Sequence, residues 1–178
     1  FLHYSSAAGL TLYAYLSAIL LSLSTAWLAW GAGLSLIGLW PAKRPLASSA
    51  PIRGKTAVLM PVCNEDPAPT FARVAAMIGA LRDAPAEIQF AILSDSSKPE
   101  AVAGEAFWFG RLLAETGAEG RLFYRRRRAN IGRKAGNVAD FFQRSGAAYD
   151  YAVILDADSL MEAGTILEMI RRMEAEPR

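Results

Sequence analysis

Two carboxylates two residues apart, Asp156 and Asp158, stand at the end of the apolar run Tyr151-Ala152-Val153-Ile154-Leu155. The run has the length of a strand, Tyr151 to Leu155. Alternation would turn both carboxylates to one side, where a single divalent cation can sit between them. Carboxylate oxygens are hard ligands and suit Mg²⁺ or Mn²⁺, ions that keep substrate phosphates in the rest of their coordination sphere. A lone D-x-D is common, so its weight depends on what else falls in the same kind of place. Asn64, Glu65 and Asp66 follow the apolar run Thr56 to Val62, and Ser94, Asp95 and Ser96 follow the run Glu87 to Leu93. Three acidic loops suit a cation and ribose hydroxyls better than bare phosphate. A diphosphate would need a basic neighbour as well, and Arg133-Lys134 stands just before Gly136-Asn137. Lysine acts there as a point charge, and glycine allows close backbone approach.

The elements that would carry these loops alternate in type. Pro67 and Pro69 mark a turn, after which Phe71, Val74, Ile78 and Leu81 recur at helical spacing. Ser97-Lys98-Pro99-Glu100 has the pattern of a capping box, with Ser97 as N-cap. The helix it opens carries Val102, Ala106, Phe109 and Leu113 on one face and stops near Gly117. Arg121 to Tyr124 reads as a short third strand. Asn137 to Arg144 reads as a helix with Val138, Phe141 and Phe142 inward and Gly146 closing it. Ile166, Leu167, Ile170 and Met173 form a last amphipathic helix. Strand and helix in alternation predict an α/β fold, a mostly parallel sheet with helices on both faces. In such sheets ligands bind beyond the carboxyl ends of the strands, which is where all three acidic loops fall.

Composition divides the chain. Of 178 residues, none between Ala7 and Trp40 is charged, whereas almost every Lys, Arg, Asp and Glu lies beyond Ala42. That stretch exceeds the roughly 20 apolar residues a membrane helix needs. We expect a membrane-embedded segment over 1–40, with one transmembrane helix at about 15–40, a linker over 41–55, and a truncated α/β domain over 56–178. Tyr13, Tyr15 and Trp40 suit the two interfaces. Lys43, Arg44, Arg53 and Lys55 follow the span while only His3 precedes it, which puts the C-terminal side in the cytoplasm. Cys63 is the sole cysteine, which fits a reducing compartment, and is expected as a buried thiol with no chemistry attached.

Four motifs in order carry a resemblance. Pro61-Val62-Cys63-Asn64-Glu65, Asp95, Lys134-Ala135-Gly136-Asn137 and Asp156-Ala157-Asp158 resemble the P-x-x-N-E, second-strand aspartate, K-[AS]-G-N and D-x-D elements of family 2 glycosyltransferases. Ser94-Asp95-Ser96 and Phe123-Tyr124-Arg125-Arg126-Arg127-Arg128 are more similar to the Gram-negative branch that makes osmoregulated periplasmic glucans than to cellulose or hyaluronan synthases. The resemblance implies a GT-A-type, Rossmann-like fold of which this chain holds the N-terminal, donor-binding part. It implies an inverting, membrane-bound glucosyltransferase of the bacterial inner membrane, with its catalytic domain on the cytoplasmic side. Glucose would pass from UDP-glucose to a growing β-1,2-linked glucan acceptor. By the same carry-over, Glu65 and Asp95 contact the uridine, Lys134 lies near the diphosphate, Asn64 and Asn137 belong to the UDP-sugar site, and Asp156 serves ribose or metal. Asp158 binds Mg²⁺ or Mn²⁺. The general base, in a T-E-D element followed by Q-x-x-R-W, is expected after Arg178, so no catalytic residue is assigned within the chain.

Arg125 to Arg128 stays open at this stage. Four consecutive cations read as a solvated face, as a steering patch for UDP-sugar, as a contact for membrane lipids, or as a dock for an acidic partner such as acyl carrier protein. The run is isolated and no nucleic-acid module surrounds it, so nucleic acid is not an expected partner. Three other functions compete: a cellulose-like processive synthase, a Mg²⁺-dependent phosphatase, and a non-enzymatic membrane scaffold. Gly54-Lys55-Thr56 is no P-loop, because Ser49 stands where the first glycine belongs and the triplet precedes a strand.

Overall fold

The computed structural model describes residues 12–39 and 49–176. They belong to two compact units, one within Phe1–Leu46 and one within Ala47–Arg178. Among the described residues the first holds one helix, α1 (Leu12–Gly38), long and apolar enough to cross a membrane. At about 1.5 Å per residue it is roughly 40 Å long. Three of its hydroxyls, those of Ser22, Thr25 and Ser35, each donate to the carbonyl four residues earlier at 2.8–2.9 Å. That is what a helix surrounded by hydrocarbon requires. It begins a few residues before the expected start. Trp40, Lys43, Arg44 and most of the expected linker lie outside the described residues.

The second unit runs β1 (Thr56–Val62), α2 (Pro67–Ala80), β2 (Ile88–Ser94), α3 (Pro99–Thr116), β3 (Leu122–Arg126), α4 (Arg133–Ser145), a 3₁₀ turn (Gly146–Ala148), β4 (Tyr151–Ile154) and α5 (Ala163–Ala175). All strand pairs are parallel, in the order β3-β2-β1-β4. Apolar residues on both faces of a strand demand cover on both sides, and β1 is buried along its whole length. Its Val58, Met60 and Val62 join Phe71, Val74 and Met77 of α2 and Ile166 and Ile170 of α5 in the larger core. Ala57 and Leu59 turn the other way, onto Phe141 of α4.

Several local details differ from the sequence reading. Pro67 starts α2 instead of ending a turn, because the first helical turn needs no proline N–H and Asp66 caps it by accepting from Ala68 N at 3.0 Å. Ser97 is not an N-cap. Lys98 holds that position without a side-chain bond, and the N–H groups of Ser97 and Lys98 both donate to Asn64 Oδ1 at 3.0 Å. An acceptor from another loop has replaced the local box. Phe142 is 43 % exposed, packed edge-on against the buried Phe141 and not inward. Helix α4 begins at Arg133, so the basic pair lies in its first turn.

Strand β4 is also shorter than expected. β1 pairs with β2 over all seven of its residues but with β4 only over Thr56 to Leu59. One more bond follows, from Leu155 N to Leu59 O at 2.9 Å, before the chain leaves the sheet. Asp156 and Asp158 therefore sit in a turn closed by Ser159 N donating to Asp156 O at 2.9 Å. Strand alternation does not orient them; the turn does.

Candidate functional site

A crevice of about 710 Å³ opens beyond the carboxyl ends of the strands. Glu65 reaches it from the β1 loop, Asp95 from the β2 loop, Lys134 and Asn137 from α4, and Asp156 and Asp158 from the turn after β4. Asn64 does not line it. Its backbone takes the left-handed conformation, φ 62, and its side chain faces Ser97 and Lys98 instead. The left-handed turn sends Cys63 and Glu65 toward the crevice and Asn64 away from it. Glu65 folds back to accept from Cys63 N, which stiffens the loop locally.

The first turn of α4 is fixed by a tight approach of the chain to itself. Gly132 (φ 70) and Arg133 (φ 51) are both left-handed. Gly136 lies so close beneath them that a Cβ would fall 2.0 Å from the Ile131 carbonyl oxygen. The expected close approach of this glycine is thus to its own loop. Asn137 is 1 % exposed, and its amide is fully engaged: Nδ2 donates to Leu93 O at 2.8 Å, and Oδ1 accepts from Arg125. It ties α4 to the end of β2 and forms part of the crevice wall.

Charge in the crevice is mixed. Lys134 Nζ bonds Asp156 Oδ1, both side chains remaining largely exposed. Arg73 of α2 and Arg133 add two more cations to the wall, with Arg73 Nη1 lying 3.5 Å from Ala157 O. The Asp156 carboxylate thus already faces a cation, the ammonium group of Lys134. Among the described residues no group of three or more His, Cys, Asp or Glu side chains gathers as a metal cage. Asp156 and Asp158 would hold an ion by two carboxylates at most, leaving its other positions to phosphate and water.

The arginine run is not a solvated patch. Arg125 pairs with Asp140 and Asn137. Arg126 donates to Ser96 O at 3.2 Å. Arg127 grips Asp95 with Nε and Nη2, both at 2.7 Å, and reaches the Ile131 and Arg133 carbonyls at 3.3 Å. The Asp95 hydrogen bonds push the Arg127 guanidinium above its ordinary range. Arg125 and Arg126 lie in β3, paired with Leu93 and Ser94 at the end of β2, so the run serves as internal framework for the loops around it. Arg128 is exposed.

Cys63 is exposed on the crevice wall and not buried as expected; partial desolvation first, and then the nearby carboxylates of Glu65 and Asp95, push its thiol up. Arg133 was read from sequence with Lys134 as a basic pair for a diphosphate, whereas Arg73 was not singled out. Arg73 looks like any polar residue on an amphipathic helix, whereas Arg133 directly precedes a motif lysine and was legible as its companion. Glu105 of α3, discussed below, carried no sequence signal at all.

No protein-family model matches the chain. It is 52 % identical over 183 aligned residues to the glucans biosynthesis glucosyltransferase H of Cereibacter sphaeroides, covering 100 % of this chain and 31 % of that protein. Identity to the proteins of the same name is 41 % in Shewanella oneidensis and 38 % in Vibrio cholerae, over 97 % and 95 % of this chain and 24 % of each relative. The chain thus spans a third or less of the length of the curated relatives it matches. Its fold is similar to that of the mannosyltransferase PcManGT from Pyrobaculum calidifontis, solved in complex with GDP-Man and Mn²⁺, with a TM-score of 0.57 and 22 % identity. That similarity covers 88 % of this chain and 44 % of the other. The GT-A-type architecture follows from that likeness.

Proposed function

Because the chain is homologous along its whole length to the glucans biosynthesis glucosyltransferase H proteins, we propose that it carries the donor-binding half of an inverting glucosyltransferase of the bacterial inner membrane. The donor is UDP-glucose, and the product is an osmoregulated, β-1,2-linked periplasmic glucan. The observation that carries the reading is convergence. Glu65, Asp95, Lys134, Asp156 and Asp158, carried by three loops and a helix far apart in sequence, line one crevice at one sheet edge.

The division of labour follows from charge and depth. Asp95 is buried and held rigidly by Arg127, which suits the nucleoside end of the donor, where fixed polar groups give selectivity. Asp156 and Asp158 are exposed in their turn and would hold Mg²⁺ or Mn²⁺; such an ion, when bound, neutralises the departing UDP. Lys134 lies beside Asp156 and would move its ammonium from that carboxylate onto a diphosphate oxygen. Arg73 and Arg133 flank the same space and supply further positive charge. Helix α1 anchors the enzyme among membrane lipids, with the crevice on the cytoplasmic side where nucleotide sugars are made. Three of the four arginines of Arg125–Arg128 are engaged internally, which argues against that run as the dock for acyl carrier protein.

Asp158→Ala in the full-length protein tests the reading. Metal-dependent UDP-glucose binding should be lost while thermal unfolding stays as in the wild type. Unchanged affinity with Mg²⁺ or Mn²⁺ present would refute the metal assignment. Linkage analysis of the product separates a β-1,2-glucan from a cellulose-like polymer.

A further inference from the structure

Glu105, midway along α3, is 1 % exposed, and none of the salt bridges among the described residues involves it. A carboxylate taken out of water without a counter-ion is stable only where hydrogen-bond donors surround it. Both its oxygens accept from hydroxyls: Oε1 from Ser96 Oγ, and Oε2 from Tyr124 Oη at 2.7 Å. Burial first, and then the bond to Glu105, push the Tyr124 hydroxyl up to about 12, so it keeps its proton and donates.

Asn64 N donates to Ser96 Oγ at 2.7 Å, and Ser96 N donates to Ser94 Oγ at 3.1 Å. A hydrogen-bond chain thus runs from Asn64 N through the Ser96 hydroxyl to the carboxylate, while Tyr124 of β3 donates to it directly. The chain starts at a backbone N–H, which can donate but never accept, so it cannot reverse. Both loop residues adjoin the crevice: Asn64 precedes Glu65, and Ser96 follows Asp95.

Resting on the donor-site reading above, we infer that Glu105 is a positioning residue for nucleotide-sugar binding, its two accepting oxygens fixing the β1 and β2 loops relative to each other from behind the crevice. The pair of acceptors matters more than the shape. Glutamine has the same outline but offers one acceptor and one N–H₂. Whichever way its amide turns, it presents a donor to a hydroxyl that is already committed to donating. One buried hydroxyl proton is then orphaned, and one loop loses its anchor. The left-handed Asn64 has most to lose, because an unfavourable φ persists only while its surroundings enforce it.

The test is calorimetric titration of full-length, detergent-solubilised protein with UDP-glucose in the presence of Mn²⁺, each variant held below its own unfolding midpoint. Glu105→Gln and Ser96→Ala should each weaken binding about tenfold or more. Ile170→Val, in the core beneath α5 and away from the crevice, should leave affinity unchanged although it lowers the midpoint. If Glu105→Gln and Ser96→Ala weaken binding no more than Ile170→Val does, Glu105 is structural only and the inference falls, while wild-type binding keeps the donor site standing. Failure of the wild type itself to bind UDP-glucose would remove both the donor-site reading and this inference.

Discussion

The pairing of Arg127 with Asp95 gives the sharpest stability prediction. Asp95 is nearly inaccessible, with a side chain 3 % exposed, and Arg127 is 13 % exposed. Two guanidinium nitrogens meet its two oxygens at 2.7 Å. At an effective dielectric of about 20, unit charges roughly 4 Å apart attract by about 4 kcal/mol. Removing one member of a buried pair costs about 3–5 kcal/mol, since the remaining charge is left without a partner. Arg127 keeps some contact with water, which would partly take its place, so Arg127→Met should cost nearer 2–3 kcal/mol. For a unit of this size that lowers the unfolding midpoint by roughly 5–10 °C. Asp95→Asn removes the stranded charge, so Asp95→Asn/Arg127→Met should regain most of the loss. Donor affinity should be lost in both, because Asp95 belongs to the proposed site. Thermal unfolding of the full-length protein, followed by hydrogen exchange at the β2 amides, provides the cycle. An Arg127→Met midpoint equal to wild type, or a double variant no more stable than Arg127→Met, would refute the argument.

Two further outcomes are expected. Gly136→Ala should favour α4 by intrinsic propensity yet destabilise the protein by about 1–3 kcal/mol, because its new methyl collides with the Ile131 carbonyl and displaces the loop carrying Arg133 and Lys134; a raised unfolding midpoint with intact donor binding would contradict this. Glu174 accepts from the N–H groups of Gly54 and Arg53, and these bonds, the Gly54 bond foremost, hold its carboxyl below the ordinary 4.5. Its contribution is therefore complete above that value and is lost as pH falls through the lowered one. Hydrogen exchange at Arg53 and Gly54 should accelerate on acidification in the wild type, and should already be fast at neutral pH in Glu174→Ala, which has no side-chain acceptor. Equal neutral-pH protection in the two proteins would count against the clamp.

What the sequence disclosed depended on how local the cause was. Thr56–Val62 was legible as a strand because a run of apolar residues has few other places to go, and α5 because its Ile166 and Ile170 repeat at helical spacing. Asp156 and Asp158 were placed on one crevice by an argument from strand alternation, yet a turn brings them there. Ser97 matched a capping box, and only Asn64, 33 residues upstream, explains why it does not cap. The role of Arg127 was hidden among three identical neighbours, because nothing local distinguishes the one that meets Asp95 across 32 residues. Glu105 was invisible for the same reason: its partners Ser96 and Tyr124 come from a loop and a strand that only the tertiary fold brings to α3.

The early end of the β1–β4 ladder has a cause written in β1 itself. Residues 56, 58, 60 and 62 bond toward β2, and 57 and 59 toward β4, so the next donor owed to β4 would be Pro61. Proline has no hydrogen on its nitrogen to give. The carbonyl of Leu155 can find no mate across the sheet, the last strand peels off, and Asp156 with Asp158 are carried outward to form one bank of the gap. A single missing proton, at a residue on the crevice wall itself, decides where the sheet lets go and therefore how wide a guest it can admit.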